Sequence, residues 1–237
     1  MNKTRKMTMM AMLCAIALVA VAVCRIPIIP AVDFITYDPK DIVLTIGGYL
    51  FGPVSALVMC FAVSFVEMFT LSTTGYIGFI MNFLSSAAFA CTATYFYKRK
   101  HSIRHAVFGL ILGSVIMTAI MLLWNYIITP IYMGIPREQV VPLLIPAILP
   151  VNLLKGGINT ALTLLLYKPI VTALRKANLI PQSENYSKGG SNAWGMAIGA
   201  FILLSCIVAV VLFNKWYLNF IVKWKKAIVL SIAFFVR

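Results

Sequence analysis

Acidic side chains are scarce in this chain. Six stand against 20 lysines and arginines, and charged residues of both signs make up only 11% of the 237 positions. The six are Asp33, Asp38, Asp41, Glu67, Glu138 and Glu184, and their spacing offers no pair of carboxylates for general acid and base work. Histidine occurs twice, at 101 and 105, and the five cysteines at 14, 24, 60, 91 and 206 form no C-x-x-C pair. A bound metal and a disulfide framework are therefore not expected. No nucleophile–base set and no phosphate-binding glycine loop is present, so the chain reads as a non-enzyme with no cofactor, and any use of ATP must come from a partner. The net charge of +14 comes without a groove-reading motif, so nucleic acid is not the expected partner.

What the chain has is apolar length. Hydrophobic residues make up 62% of it, in several runs near or above the roughly 20 residues that cross a bilayer. The expected fold is an all-α, polytopic membrane helix bundle of six transmembrane helices in the lipid bilayer, with an additional hydrophobic segment near the C-terminus. Residues 7–24 follow Lys3, Arg5 and Lys6, and Ala20 to Ala22 resembles a cleavage site. The run exceeds the usual ~7–15 residues of a signal peptide and further spans follow, so it reads as an uncleaved first helix. Within it, Ala11 and Ala15 make a small-x-x-x-small pair of the kind that lets two helices approach closely.

Residues 25–41 read RIPIIPAVDFITYDPKD, half apolar and broken by three prolines. Such a connection either folds over a pocket mouth or simply joins two helices. Residues 42–51 form a short apolar second segment, and the chain turns at Gly52-Pro53. A third helix over 54–71 carries Glu67 near its far end, where its carboxylate either belongs to a site or reaches the membrane interface, the second being the expectation. A fourth, about 77–97, carries Asn82, which either lines a pocket or bonds a neighbouring helix. A fifth, about 106–128, ends in Trp124, Asn125 and Tyr126. Residues 129–150 read as a proline-rich outer loop and helix lead-in, and a sixth helix follows, closing with Lys168, Arg175 and Lys176.

Basic residues cluster at 3–6, 98–104 and 168–176, and six spans put all three clusters on one side, the cytoplasm. The helix ends carrying Glu67, Asn82, Asn125 and Asn152 to Lys155 then converge on the outer side. Asn152, Lys155 and Asn159 are spaced i, i+3, i+7 and share one helix face. Gly156 and Gly157 leave the backbone beside Lys155 bare. A lysine within a membrane helix costs about 2.5–3.5 kcal/mol on insertion scales, so it either snorkels to the headgroups or holds something polar.

Four stretches in order, FITYDPKD at 34–41, IGGYLFGP at 46–53, WNY at 124–126 with Thr129 and Pro130, and NLLKGG at 152–157, together resemble the riboflavin-specific substrate-binding subunits of energy-coupling-factor (ECF) transporters. The resemblance spans about residues 5–180. It implies a subunit of the bacterial plasma membrane that takes riboflavin from outside as a transported ligand. It also implies that the loop after the first helix acts as a gate. Ligand contacts are expected from Asn125, Asn152 and Lys155, with Thr36, Tyr37, Asp38, Asn82 and Asn159 as further riboflavin-binding candidates. Ala11 and Ala15 would pack against the coupling membrane subunit, and two cytoplasmic ATPase subunits would complete the complex. Residues 1–180 would form the six-helix unit. Residues 181–237, a polar linker and a hydrophobic extension, depart from that plan.

Overall fold

The structure is a computed structural model that describes residues 2–24, 26–27, 36–71, 74–134, 136–177, 179 and 197–208. Helix α1 spans Lys3–Cys24, α2 Lys40–Phe51, α3 Pro53–Thr70, α4 Gly75–Lys100, α5 Ile103–Met133, α6 Arg137–Leu143 and α7 Leu149–Lys176. A π-helical turn, Leu144–Ile148, joins α6 to α7. Two short strands, β1 (Ile26–Pro27) and β2 (Thr36–Tyr37), pair antiparallel with Ile26 opposite Tyr37. A further apolar helix covers Ala197–Val208.

Among the described residues, five helices are long and apolar enough to cross a membrane. The helix between α1 and α3, α2, is shorter. Its 12 residues give about 18 Å of helix, well short of a ~30 Å hydrocarbon core. It is buried on nearly every side, from Lys40 through Tyr49, because the longer helices enclose it. The bundle is apolar outside, and it keeps polar side chains of α3 inside, among a largely apolar core. Val54, Val58, Phe61, Phe65 and Phe69 of α3 are exposed, whereas Ser55, Ser64 and Glu67 of the same helix are buried. That distribution suits a lipid solvent, where polar groups must find partners inside the protein.

The helix breaks have local causes. Gly52 adopts φ +98°, a conformation that favours glycine, and Pro53 then begins α3, where a missing N–H costs nothing. Ser102 caps α5 by accepting from the His105 backbone N–H at 3.4 Å. Gly109 and Gly113, one turn apart on α5, let that helix close on α4. A Cβ at either would lie within 2.9 Å of a backbone carbonyl, that of Ala93 or of Phe89. This small-x-x-x-small pair is plain in the sequence and marks the α4–α5 seam.

Two expectations require correction. Residues 129–150 are largely helical rather than a loop, since α5 runs on through Pro130 to Met133 and Arg137 to Ile148 is helical again. Proline removes a single donor from a helix, whereas an open loop at membrane depth would leave many backbone groups unpaired. Glu67 does not reach the interface. It is 3% exposed and ion-pairs with Lys40, the first residue of α2.

The basic clusters gather at one end. Met9, Val171 and Leu174 pack with Leu50 and Phe51, which joins the start of α1 to the ends of α2 and α7. Lys6 Nζ donates to the Phe51 carbonyl at 3.5 Å, and the Lys98 ammonium lies beside Gly52. It is the end that the sequence reading expects on the cytoplasmic side.

Candidate functional site

At the other end of the bundle, α4, α5 and α7 part around a cleft lined by Met81, Asn82, Ser85, Met121, Asn125, Ile148, Val151, Asn152 and Lys155. Its empty space is about 500 Å³, counting the opening to solvent. Helical spacing explains the lining. Met81 and Ser85 are one turn apart on α4, as are Met121 and Asn125 on α5, and Asn152 and Lys155 stand on adjoining positions of α7. The π turn before α7 brings Ile148 to the same wall; such turns are frequent at functional sites.

Each cleft amide is partly engaged and partly available. Asn125 donates to the Met121 carbonyl at 2.8 Å and accepts from Thr129 Oγ1 at 2.9 Å. Asn152 donates to the Ile148 carbonyl at 2.8 Å. A primary amide has two N–H groups and two acceptor lone pairs, so each side chain keeps a donor and an acceptor in a fixed orientation. Asn82 donates to Glu67 Oε2 at a long 3.5 Å, which turns its own oxygen toward other partners. The other carboxylate oxygen of Glu67 is buried with no hydrogen-bond partner among the described residues. Lys155 is half-buried and makes no hydrogen bond or ion pair with the described residues. Its three N–H donors are therefore open to a molecule in the cleft.

The remaining candidates separate from these four. Asn159, on the same face of α7 by spacing, lies inward of the cleft lining, 1% exposed, between Tyr37 and Asp41. Tyr37 is buried at the end of β2, and Thr36 is placed by its backbone opposite Pro27. Asp38 is buried on the short lead into α2. Of the gate segment 34–40, residues 34 and 35 lie outside the described residues. Ala11 and Ala15 are exposed on α1, on the side away from buried Met9, Leu13, Ala17 and Val21. Two charged residues escaped the sequence reading. Lys40 and Asp41 open α2 and are both buried, and a charge pair at the head of an apolar run was the available signal.

A family model described as "ECF transporter, substrate-specific component" matches residues 5–167. The chain belongs to that family. As a substrate-specific component it is a multi-pass membrane protein and a transporter subunit, not an enzyme. It is similar to the riboflavin transporter RibU of Staphylococcus aureus (strain TCH60), at 26% identity over 183 residues, 74% of this chain and 95% of that one. RibU of Streptococcus thermophilus is 28% identical over 186 residues, 74% of this chain and 87% of its own. The riboflavin transporter FmnP of Bacillus subtilis (strain 168) is 25% identical over 190 residues, 75% of this chain and 99% of its own. Among solved structures, the S component of a bacterial ECF transporter superposes with a TM-score of 0.63 at 27% identity, covering 73% of this chain and 99% of that chain.

Proposed function

We propose that this substrate-specific component binds riboflavin from the outer side of a bacterial plasma membrane and hands it inward with an ECF coupling membrane subunit and two cytoplasmic ATPase subunits. The observation that carries the reading is the cleft. Three asparagine amides, and one lysine that makes no hydrogen bond or ion pair with the described residues, stand on walls supplied by Met81, Met121, Ile148 and Val151. The isoalloxazine ring is flat and largely apolar, with an imide edge that both donates and accepts. Asn125 and Asn152 supply both functions at fixed positions, and Lys155 supplies donors for carbonyl or hydroxyl oxygens. The relatives named as riboflavin transporters cover this site, since their similarity extends over about three quarters of the chain.

Access from outside follows from the cleft's place at the end opposite the basic clusters. In this reading Asn82, Asn125, Asn152 and Lys155 touch the ligand, and the segment from Thr36 to Asp38 borders it. The exposed face of α1 carrying Ala11 and Ala15 receives the coupling subunit, because small residues permit close helix approach. Residues 1–180 form the binding unit, and residues 181–237 are an addition to it. The test is titration of detergent-purified protein with riboflavin, read by quenching of flavin fluorescence. Saturable quenching is expected. No quenching, from protein with a cooperative thermal melt, would refute the assignment.

A further inference from the structure

Asn159 has the right spacing to face the cleft with Asn152 and Lys155, yet its amide is committed elsewhere. Its Oδ1 accepts from the Tyr37 hydroxyl at 2.9 Å, and its Nδ2 donates to Asp41 Oδ2 at 3.1 Å. Asp41 Oδ1 accepts from Ser86 Oγ at 2.5 Å, and the Asp41 backbone carbonyl accepts from Thr45 Oγ1 at 2.6 Å. All of it is buried: Asn159 and Ser86 are 1% exposed, Asp41 6% and Tyr37 8%. Four elements, β2, α2, α4 and α7, thus meet at one chain of hydrogen bonds in the bundle interior.

The bonds run in one direction. Both Asp41 oxygens accept, from Ser86 and from Asn159, so Asn159 turns its NH2 to Asp41 and its oxygen to the Tyr37 hydroxyl. Reversing the amide would set oxygen against oxygen at Asp41. A turn of α7 by one residue, about 100°, would strand both ends of Asn159 in a low-dielectric interior, where an unpaired polar group is costly. Lys155 lies one turn away on the same helix, about 6 Å along its axis, and Asn152 about 10 Å. A bond set that admits one rotation of α7 therefore also sets where these two side chains aim.

We infer that Asn159, held between Asp41 and Tyr37, is a positioning residue that fixes the rotation of α7 and so presents Asn152 and Lys155 to the ligand without touching it. The inference rests on the riboflavin reading above. It assigns to the buried polar chain the preorganisation of the cleft wall, the condition for a hydrogen-bonding site to be worth its full affinity.

The test uses the full-length chain in detergent, with riboflavin titration and a thermal melt of the ligand-free protein for each variant. Asn159→Asp sets a carboxylate against Asp41 and should weaken riboflavin binding about 10-fold or more, the scale of a lost hydrogen bond to a charged group. The exchange Asp41→Asn with Asn159→Asp reverses the central bond while satisfying every partner. The carboxylate, now at position 159, accepts from the Tyr37 hydroxyl and from the amide NH2 at position 41. The amide oxygen at position 41 accepts from Ser86. The exchange should recover affinity to within about 3-fold of the wild type, being the same bonds with the charge moved by one side chain. Tyr37→Phe deletes a single hydroxyl and covers the case in which Asn159→Asp does not fold. It should weaken binding several-fold in the wild type and by a clearly smaller factor once Lys155→Met is present, because the share of its effect that passes through Lys155 is then gone while the share through Asn152 remains. Recovery in the exchange and the loss of additivity support the inference. An exchange variant as weak as Asn159→Asp, or an equal effect of Tyr37→Phe in both backgrounds, overturns it while the riboflavin reading stands. A wild type that does not bind riboflavin overturns both.

Discussion

Lys155 bears the most weight in the proposed site, and replacing it by methionine tests that weight directly. Methionine keeps the length and apolar stem of the side chain and deletes the ammonium. Lys155 is half-buried at the cleft wall, beside Asn152 and with Asn125 on the same lining. It has no hydrogen-bond or ion-pair partner among the described residues, so no protein bond is lost with it. A hydrogen bond from a charged group contributes about 1.5–3 kcal/mol, which sets the expected loss of riboflavin affinity at roughly 10- to 100-fold. The ligand-free protein should behave in the opposite sense. An intramembrane charge costs up to about 2.5–3.5 kcal/mol on insertion scales. Only part of that is recovered here, because the lysine is open to water in the cleft. The melt should therefore stay level or rise by a few degrees. Fluorescence quenching on titration gives the affinity, and a melt in the same detergent gives the stability. Unchanged affinity would make Lys155 a snorkelling residue. A large fall in both quantities would make it structural and would move the site elsewhere.

The buried pair of Lys40 and Glu67 should respond in a paired way: Glu67→Leu alone strands the lysine and should lose about 3–5 kcal/mol of stability. Lys40→Met added to it should restore most of the melting temperature, and two independent losses would refute the pairing. Gly113→Leu drives a side chain at the Phe89 carbonyl, 2.8 Å from where its Cβ would sit, and should cost about 1–3 kcal/mol in a melt; an unchanged melt would mean that α4 and α5 do not approach so closely. Replacing both Ala11 and Ala15 by leucine should abolish riboflavin uptake in cells while sparing binding by the purified subunit, since both alanines are exposed on α1. Equal loss of uptake and binding would place them inside the subunit's own packing.

The membrane class and the succession of long helices are determined by the sequence alone, and the sequence also carries the charge bias from which an orientation is expected. Each follows from the length of an apolar run or from the side on which lysine and arginine collect, and these are local properties of the chain. The kinship of Asn152 and Lys155 was legible for the same reason, since three residues along a helix mean one face whatever surrounds it. The Gly109 and Gly113 pair carries a local signal of the same kind, a small-x-x-x-small spacing, although the sequence reading passed over it. Only the tertiary structure decided the rest. Glu67 reads as an interfacial carboxylate until Lys40, 27 residues earlier, is brought against it. Asn159 reads as a cleft residue until Asp41 and Tyr37, 118 and 122 residues away, take both ends of its amide. Burial of a polar side chain is tolerated or forbidden by its partners, and those partners come from segments that the chain's order keeps far apart. Residues 137–148 follow the same logic at the backbone: proline argues locally for a loop, but only the surrounding bundle determines whether the freed groups have water to bond or must stay in a helix.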